Sequence, residues 1–170
     1  EIPASLVGSE MCIRDSLGGI GISDEIHQTM TDSGTPWMHA YTSSSPVGCA
    51  VALAMLDLIE QEDFPTQARE KGARLLKNLK EALEDHPNVG DVRGLGMMCG
   101  IEIVKDKATG EEFDASEKIG PKVHQAGVER GLFSRVRGDV YCLAPPIITT
   151  ESQLDQIVEI LKDSITEVLG

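Results

Sequence analysis

Apolar residues recur at helical spacing through most of the second half of this chain, and the interruptions fall at glycine, proline and asparagine. Leu154, Ile157, Val158, Leu161, Ile165 and Val168 form one stripe, which predicts a helix to the last residues. Thr150 and Gln153 stand where a capping box would start it. Ala68, Gly72, Leu75, Leu76, Leu79 and Leu83 line one face of a helix from about Pro65 to Glu84, with Asn88 and Gly90 as its stop signals. A third helix ends at Arg130 and Gly131, the latter a natural residue after the cap, and Pro121 means that it starts near Gly120 or is kinked there. Pro46 opens another helix with Ser45 as its cap. Its residues Val47, Ala50, Val51, Ala54 and Leu58 make one apolar face, and Leu53, Leu56 and Ile59 make the opposite face apolar too. A helix apolar nearly all round is expected to be buried under a partner layer.

Strand signals are shorter. Met98 to Val104 alternates Ile101 and Ile103 against Glu102, and a polar tip follows around Lys107 to Glu111. Leu132 to Arg135 and Val140 to Leu143 flank Gly138 and Asp139, which predicts a β-hairpin, and Pro145 and Pro146 end its second strand. Leu17 to Ile22 is a glycine-rich strand candidate, with Ser23 or Asp24 capping a short helix through Met30. Asp32 to Ser45 reads as a loop anchored only by Trp37 and Tyr41. From Pro65 onward the order is helix, strands, helix, hairpin, helix. That predicts a small antiparallel sheet covered by helices on one side, an α+β domain. Residues 17–62 are too few for a second domain and read as the trailing edge of one. Residues 1–16 have no period and resemble translated adaptor sequence, a flexible natural terminus being the alternative.

Composition removes whole classes of function. A net charge of −13 argues against nucleic acid and anionic membrane surfaces. Cys12, Cys49, Cys99 and Cys142 are scattered without metal-ligand spacing, so reduced thiols in a cytoplasmic protein and no metal site are expected. Gly94, Gly96 and Gly100 run straight into a strand, so they predict a turn and bulge rather than a dinucleotide loop. Arg137, Gly138 and Asp139 spell an adhesion tripeptide but sit in the hairpin turn.

Two features carry candidate chemistry. The hydroxyls of YTSSSP, Tyr41 to Pro46, crowd before a helix N-terminus, where free N–H groups and the helix dipole favour an anion; simple capping by Ser45 is the alternative. Arg135 offers a planar fork for a carboxylate, or else a surface charge paired with Asp139. Arg137 is the alternative receptor and is expected on the opposite face of the strand.

The hairpin, the double proline and the capped last helix resemble the C-terminal domain of the class III aminotransferases, which depend on pyridoxal 5′-phosphate (PLP). The resemblance covers roughly residues 17–170 and is strongest from Val92 to Thr150 and in the Pro46 helix. It implies a fold-type I PLP-dependent transferase, with residues 17–62 as the remnant of the PLP-binding large domain and 63–170 as the C-terminal small domain. It further implies that Thr42, or Ser43 as the fallback, binds the phosphate of the PLP held by the other subunit of a homodimer. Arg135 matches a substrate-carboxylate receptor of the ω-amino-acid:pyruvate branch, on the strength of Gly131 and Leu132 before it and Gly138 and Asp139 after it.

In the family, the Schiff-base lysine and the acid on the ring nitrogen lie upstream of the segment matching LGGIGISDEI. None of Lys71, Lys77, Lys80, Lys105, Lys107, Lys118, Lys122 or Lys162 matches the lysine, so the chain alone is expected to be inactive. The activity implied for the intact enzyme moves an amino group from an ω-amine or ω-amino acid donor to pyruvate or a related 2-oxo acid. The competing readings are an acetylornithine-type aminotransferase or an aminomutase of the same fold, and a non-catalytic α/β module that binds a partner through the Pro46 helix.

Overall fold

The computed structural model describes residues 22–34 and 46–170. They fall into two compact units that meet in sequence at Glu62 and Asp63. The strand candidate at Leu17 to Ile22 and the loop from Asp32 to Ser45 lie largely outside the described residues.

In the first unit, α1 (Asp24–Asp32) is capped by the Ser23 side chain, which accepts from the Ile26 N–H. Helix α2 (Pro46–Gln61) begins at its proline. None of its residues is buried; Val47 and Leu53 are 74% and 64% exposed. The burial expected for this helix is therefore not met among the described residues, although its two apolar faces are present.

The second unit contains the core. Asp63 caps α3 (Phe64–Leu83), accepting from the Thr66 N–H, and Gly72, Leu75, Leu79 and Leu83 are its buried positions. This helix ends at Leu83, short of the Asn88 and Gly90 stop signals. Strands β1 (Val89–Leu95) and β2 (Met98–Ile103) follow as a hairpin turning at Gly96 and Met97. The periodicity gives no sign of β1, and the reason is a bulge. The register slips between Val89 and Asp91, so the two buried valines, Val89 and Val92, stand three apart instead of two. The bulge thus falls at Gly90 rather than among Gly94, Gly96 and Gly100.

A polar tip closed by the Asp106–Glu111 bridge leads through a short 3₁₀ turn (Ala115–Glu117) to α4 (Ile119–Glu129). The hairpin of β3 (Arg135–Arg137) and β4 (Val140–Leu143) comes next, then α5 (Glu151–Leu169). Thr150 and Gln153 form the predicted capping box, each side chain taking a bond at the other's backbone N–H.

The four strands run antiparallel in the order β1-β2-β4-β3. One face is apolar: Val92, Cys99, Ile101, Ile103, Tyr141 and Leu143 pack with Leu75, Leu79, Val123, Leu154, Leu161 and Ile165 of the helices. The other face carries Arg93, Gly100, Glu102, Val140, Cys142, Arg135 and Arg137, none of them buried. This is the α+β layer arrangement that the pattern predicts. Burial also pushes the Cys99 thiol up from its ordinary value.

Candidate functional site

Of the sequence-derived candidates, Arg135 lies among the described residues. It opens β3 opposite Cys142, on the outer face of the sheet. The chain reaches it by leaving α4 through Gly131 at φ +91°, with the Leu132 N–H donating back to the Gly127 carbonyl at 2.8 Å. Leu132 is buried against the core and remains part of the helix exit, so the first strand starts at Arg135 and not at Leu132. Ser134 bonds the partner strand through its hydroxyl, which donates to the Cys142 carbonyl. The Ser134 carbonyl accepts from His124 Nε2 of α4 at 3.0 Å, which requires the proton on that nitrogen.

The far end of the hairpin is fixed to the same helix. Gly138, at φ +59°, takes the first central position of the two-residue turn, where type II′ turns place glycine. Asp139 then accepts the Gly120 N–H at 2.7 Å, near the start of α4. A Cβ on Gly120 would stand 2.1 Å from the Gly138 carbonyl oxygen, so only glycine allows this approach. Asp139 is thereby committed to α4 and makes no ion pair with Arg135. Turn and base of the hairpin are both bonded to α4, and the strand that carries Arg135 is held between them.

Arg137 requires a correction. Residues two apart on a strand share a face, and the exposed, half-buried, exposed sequence of Arg135, Val136 and Arg137 follows that rule. Val136 turns inward beside buried Tyr141, and both guanidiniums point outward. Neither arginine makes a side-chain hydrogen bond or ion pair among the described residues. By contrast, Arg93 on the same face is held by Asp91 and Glu102, each at 2.8 Å, and these carboxylates raise its pKa. Arg130 is bound to Glu167. Counting by two along the sequence is the signal that places Arg137 beside Arg135.

Beneath the hairpin, Tyr141 is fully buried and its hydroxyl finds no partner among the described residues. Burial pushes the phenol up to about 12, so it stays protonated and does not carry protons at neutral pH. Its role is packing.

A Schiff-base cofactor needs a lysine that projects into an enclosed pocket. Lys71 is half-buried but gives its Nζ to the Ile147 carbonyl at 2.6 Å. Lys105 pairs with Glu111, and Lys107 donates to the Glu84 carbonyl. Lys77, Lys80, Lys118, Lys122 and Lys162 are exposed. The described residues therefore do not fit PLP on their own. Thr42 and Ser43, the phosphate candidates, lie outside the described residues. No group of three metal-ligating side chains occurs among the described residues, and no helix there is long and apolar enough to cross a membrane. Cys49, Cys99 and Cys142 are free thiols.

Comparison with known proteins gives one consistent answer. The family model "Aminotransferase class-III" matches residues 16–165. The diaminobutyrate–2-oxoglutarate transaminase of Halomonas elongata is 38% identical over 159 residues, which cover 89% of this chain and 34% of that protein. The putrescine–pyruvate aminotransferase of Pseudomonas aeruginosa is 30% identical, with 89% and 33% covered. A thermostable (S)-enantioselective omega-transaminase from Thermomicrobium roseum superposes with a TM-score of 0.81 at 40% identity, covering 88% of this chain and 34% of that one. The chain spans about a third of the length of the relatives it matches. With the family model matching nearly its whole length, the chain belongs to the class III aminotransferases, a PLP-dependent family.

Proposed function

We propose that the whole protein transfers an amino group from an ω-amine or ω-amino acid to pyruvate or a related 2-oxo acid, and that this chain supplies the acceptor's carboxylate receptor. In this reading residues 63–170 are the C-terminal small domain and residues 17–62 the trailing edge of the large domain. Two copies form a cytoplasmic homodimer, and Thr42, or Ser43 in its place, holds a phosphate oxygen of PLP. The cofactor supplies the electron sink that amino transfer needs.

One observation carries the assignment. Arg135 stands on a strand bonded to α4 at both ends, yet its guanidinium is exposed and has no partner among the described residues. In a chain with 28 acidic residues an uncommitted arginine on a rigid support suits a carboxylate that arrives from outside. The backbone fixes the position, the side chain adapts, and the planar fork orients the acid bidentately.

Acceptors with and without a carboxylate test this in the PLP-loaded whole enzyme. Arg135→Ala is expected to lower kcat/KM for pyruvate by about tenfold to a hundredfold, the size of a lost charge-assisted bond. An aldehyde acceptor should be nearly unaffected, and Arg135→Lys should recover only part of the loss. Equal losses for both acceptors would make Arg135 a structural residue and remove the basis for the assignment.

A further inference from the structure

We infer that Arg137 is a second anion receptor beside Arg135, and that the pair admits a short dicarboxylic 2-oxo acid as amino acceptor. The inference rests on the transaminase reading above and adds a specificity-determining residue to it.

The two arginines are neighbours on one face of β3, roughly 6.5 Å apart along the strand at the usual rise per residue. Each has a long flexible stem, so the two forks can close on the two ends of a short diacid. The surface beside them is low. Cys142 and Val140 lie directly across from Arg135 and Arg137, and Gly100, which has no side chain, follows Cys142 on the next strand. An extended diacid would lie along this shelf without meeting bulk.

The carboxylates near Arg137 are directed to other partners or stand apart from it. Arg137 borders a cavity of about 360 Å³ with Glu102, Glu112, Lys118 and Asp139. Glu102 is held by Arg93 at 2.8 Å and Asp139 by the Gly120 N–H at 2.7 Å. Among the described residues Glu112 forms no ion pair, and Lys118 adds a third cation. No carboxylate of the described residues comes within ion-pairing distance of Arg135 or Arg137. A monocarboxylate needs only one fork, so a second, uncommitted one two residues away distinguishes a diacid from a monoacid.

The test uses the PLP-loaded whole enzyme with pyruvate and 2-oxoglutarate as acceptors, and calorimetric titration with unreactive glutarate. Arg137→Leu is expected to raise KM for 2-oxoglutarate about tenfold or more, as the loss of one charge-assisted bond implies, with a much smaller change in the pyruvate constants. Glutarate binding should weaken by a similar factor, and Arg137→Lys should restore part of it. Equal effects on both acceptors, or none on either, would overturn the inference while leaving the Arg135 assignment intact. An enzyme that transaminates neither acceptor but binds glutarate through Arg137 would overturn the transaminase reading and keep the receptor pair. Glutarate binding indifferent to Arg137 would remove the pair whatever the activity.

Discussion

Helices α2 and α5 are both rich in aliphatic residues, yet they differ in what they find around them. Along α5, Leu154, Val158, Leu161 and Ile165 are buried in the core of the second unit, and the charged residues face out. Along α2 nothing is buried, and Val47, Val51, Leu53 and Leu56 all stand exposed. The difference lies in the width of the apolar surface. A single stripe is satisfied by one sheet, whereas a helix apolar on two sides needs two neighbours. Residues 63–170 carry a closed core of their own; α2 has the composition of a core element still to be covered.

The largest expected effect follows from that contrast. Leu79→Ala opens a cavity in the closed core and should lower the stability of the 63–170 unit by about 2–5 kcal/mol, read from urea unfolding. Leu53→Ala in α2 should move the same transition by no more than about 0.5 kcal/mol. The isolated chain is also expected to self-associate through α2, because several exposed aliphatic side chains form one sticky surface. Sedimentation should then show a shift toward monomer in Leu53→Glu/Leu56→Glu. A monomeric parent chain with protected α2 amides would break the comparison.

A smaller loss is expected where the hairpin meets α4. Gly120→Val forces a side chain against the Gly138 carbonyl, which a Cβ alone already approaches to 2.1 Å. The cost should be about 1–3 kcal/mol, as for other overpacked sites. Hydrogen exchange should quicken at the Gly120 amide and along β3 and β4, while α3 keeps its protection. Unchanged exchange in the hairpin would mean that it does not depend on this junction.

The smallest effect sharpens the comparison through pH. Burial, and then nearby Lys107, hold the His86 imidazole below its ordinary value. Its Nδ1 accepts the Asn88 N–H at 3.2 Å, just before β1, and its Nε2 is buried without a partner among the described residues. The unfolded chain therefore takes up the proton first. Stability is unaffected well above the unfolded pKa of about 6.5. It falls as the pH drops through that value and levels off once the folded imidazole is protonated too. His86→Asn should flatten the change in urea midpoint between about pH 7.5 and about pH 5.5. An identical slope in the variant would assign that acid sensitivity to other groups.

Much of this molecule is legible in its sequence, and the exceptions have physical causes. The stripes of α3 and α5, the Thr150 capping box and the Gly138–Asp139 turn follow from local rules, and all are present. Strand β1 escapes because its bulge replaces period two with a spacing of three. The start of β3 shifts from Leu132 to Arg135 because the helix exit claims the intervening backbone. The exposure of α2 has no sequence signal, since the pattern tells what a helix needs and not whether a partner is present. In the candidate site Arg135 is legible through the family pattern. The clamp by Asp139, Ser134 and His124 is not, because it joins residues ten to nineteen positions apart through tertiary packing. The facing of Arg137 follows from the two-residue period alone.

The alternation along the hairpin also has a consequence for how such a protein can diversify. Val136, Tyr141 and Leu143 point into the core, whereas Arg135, Arg137 and Cys142 point out of it. Exposed positions without tertiary partners tolerate replacement within about 0.5 kcal/mol, while core positions do not. Every second residue of β3 and β4 can therefore be exchanged with little penalty to folding. Lineages sharing this scaffold are free to change the outward half of the strand while its inward half stays under packing constraint.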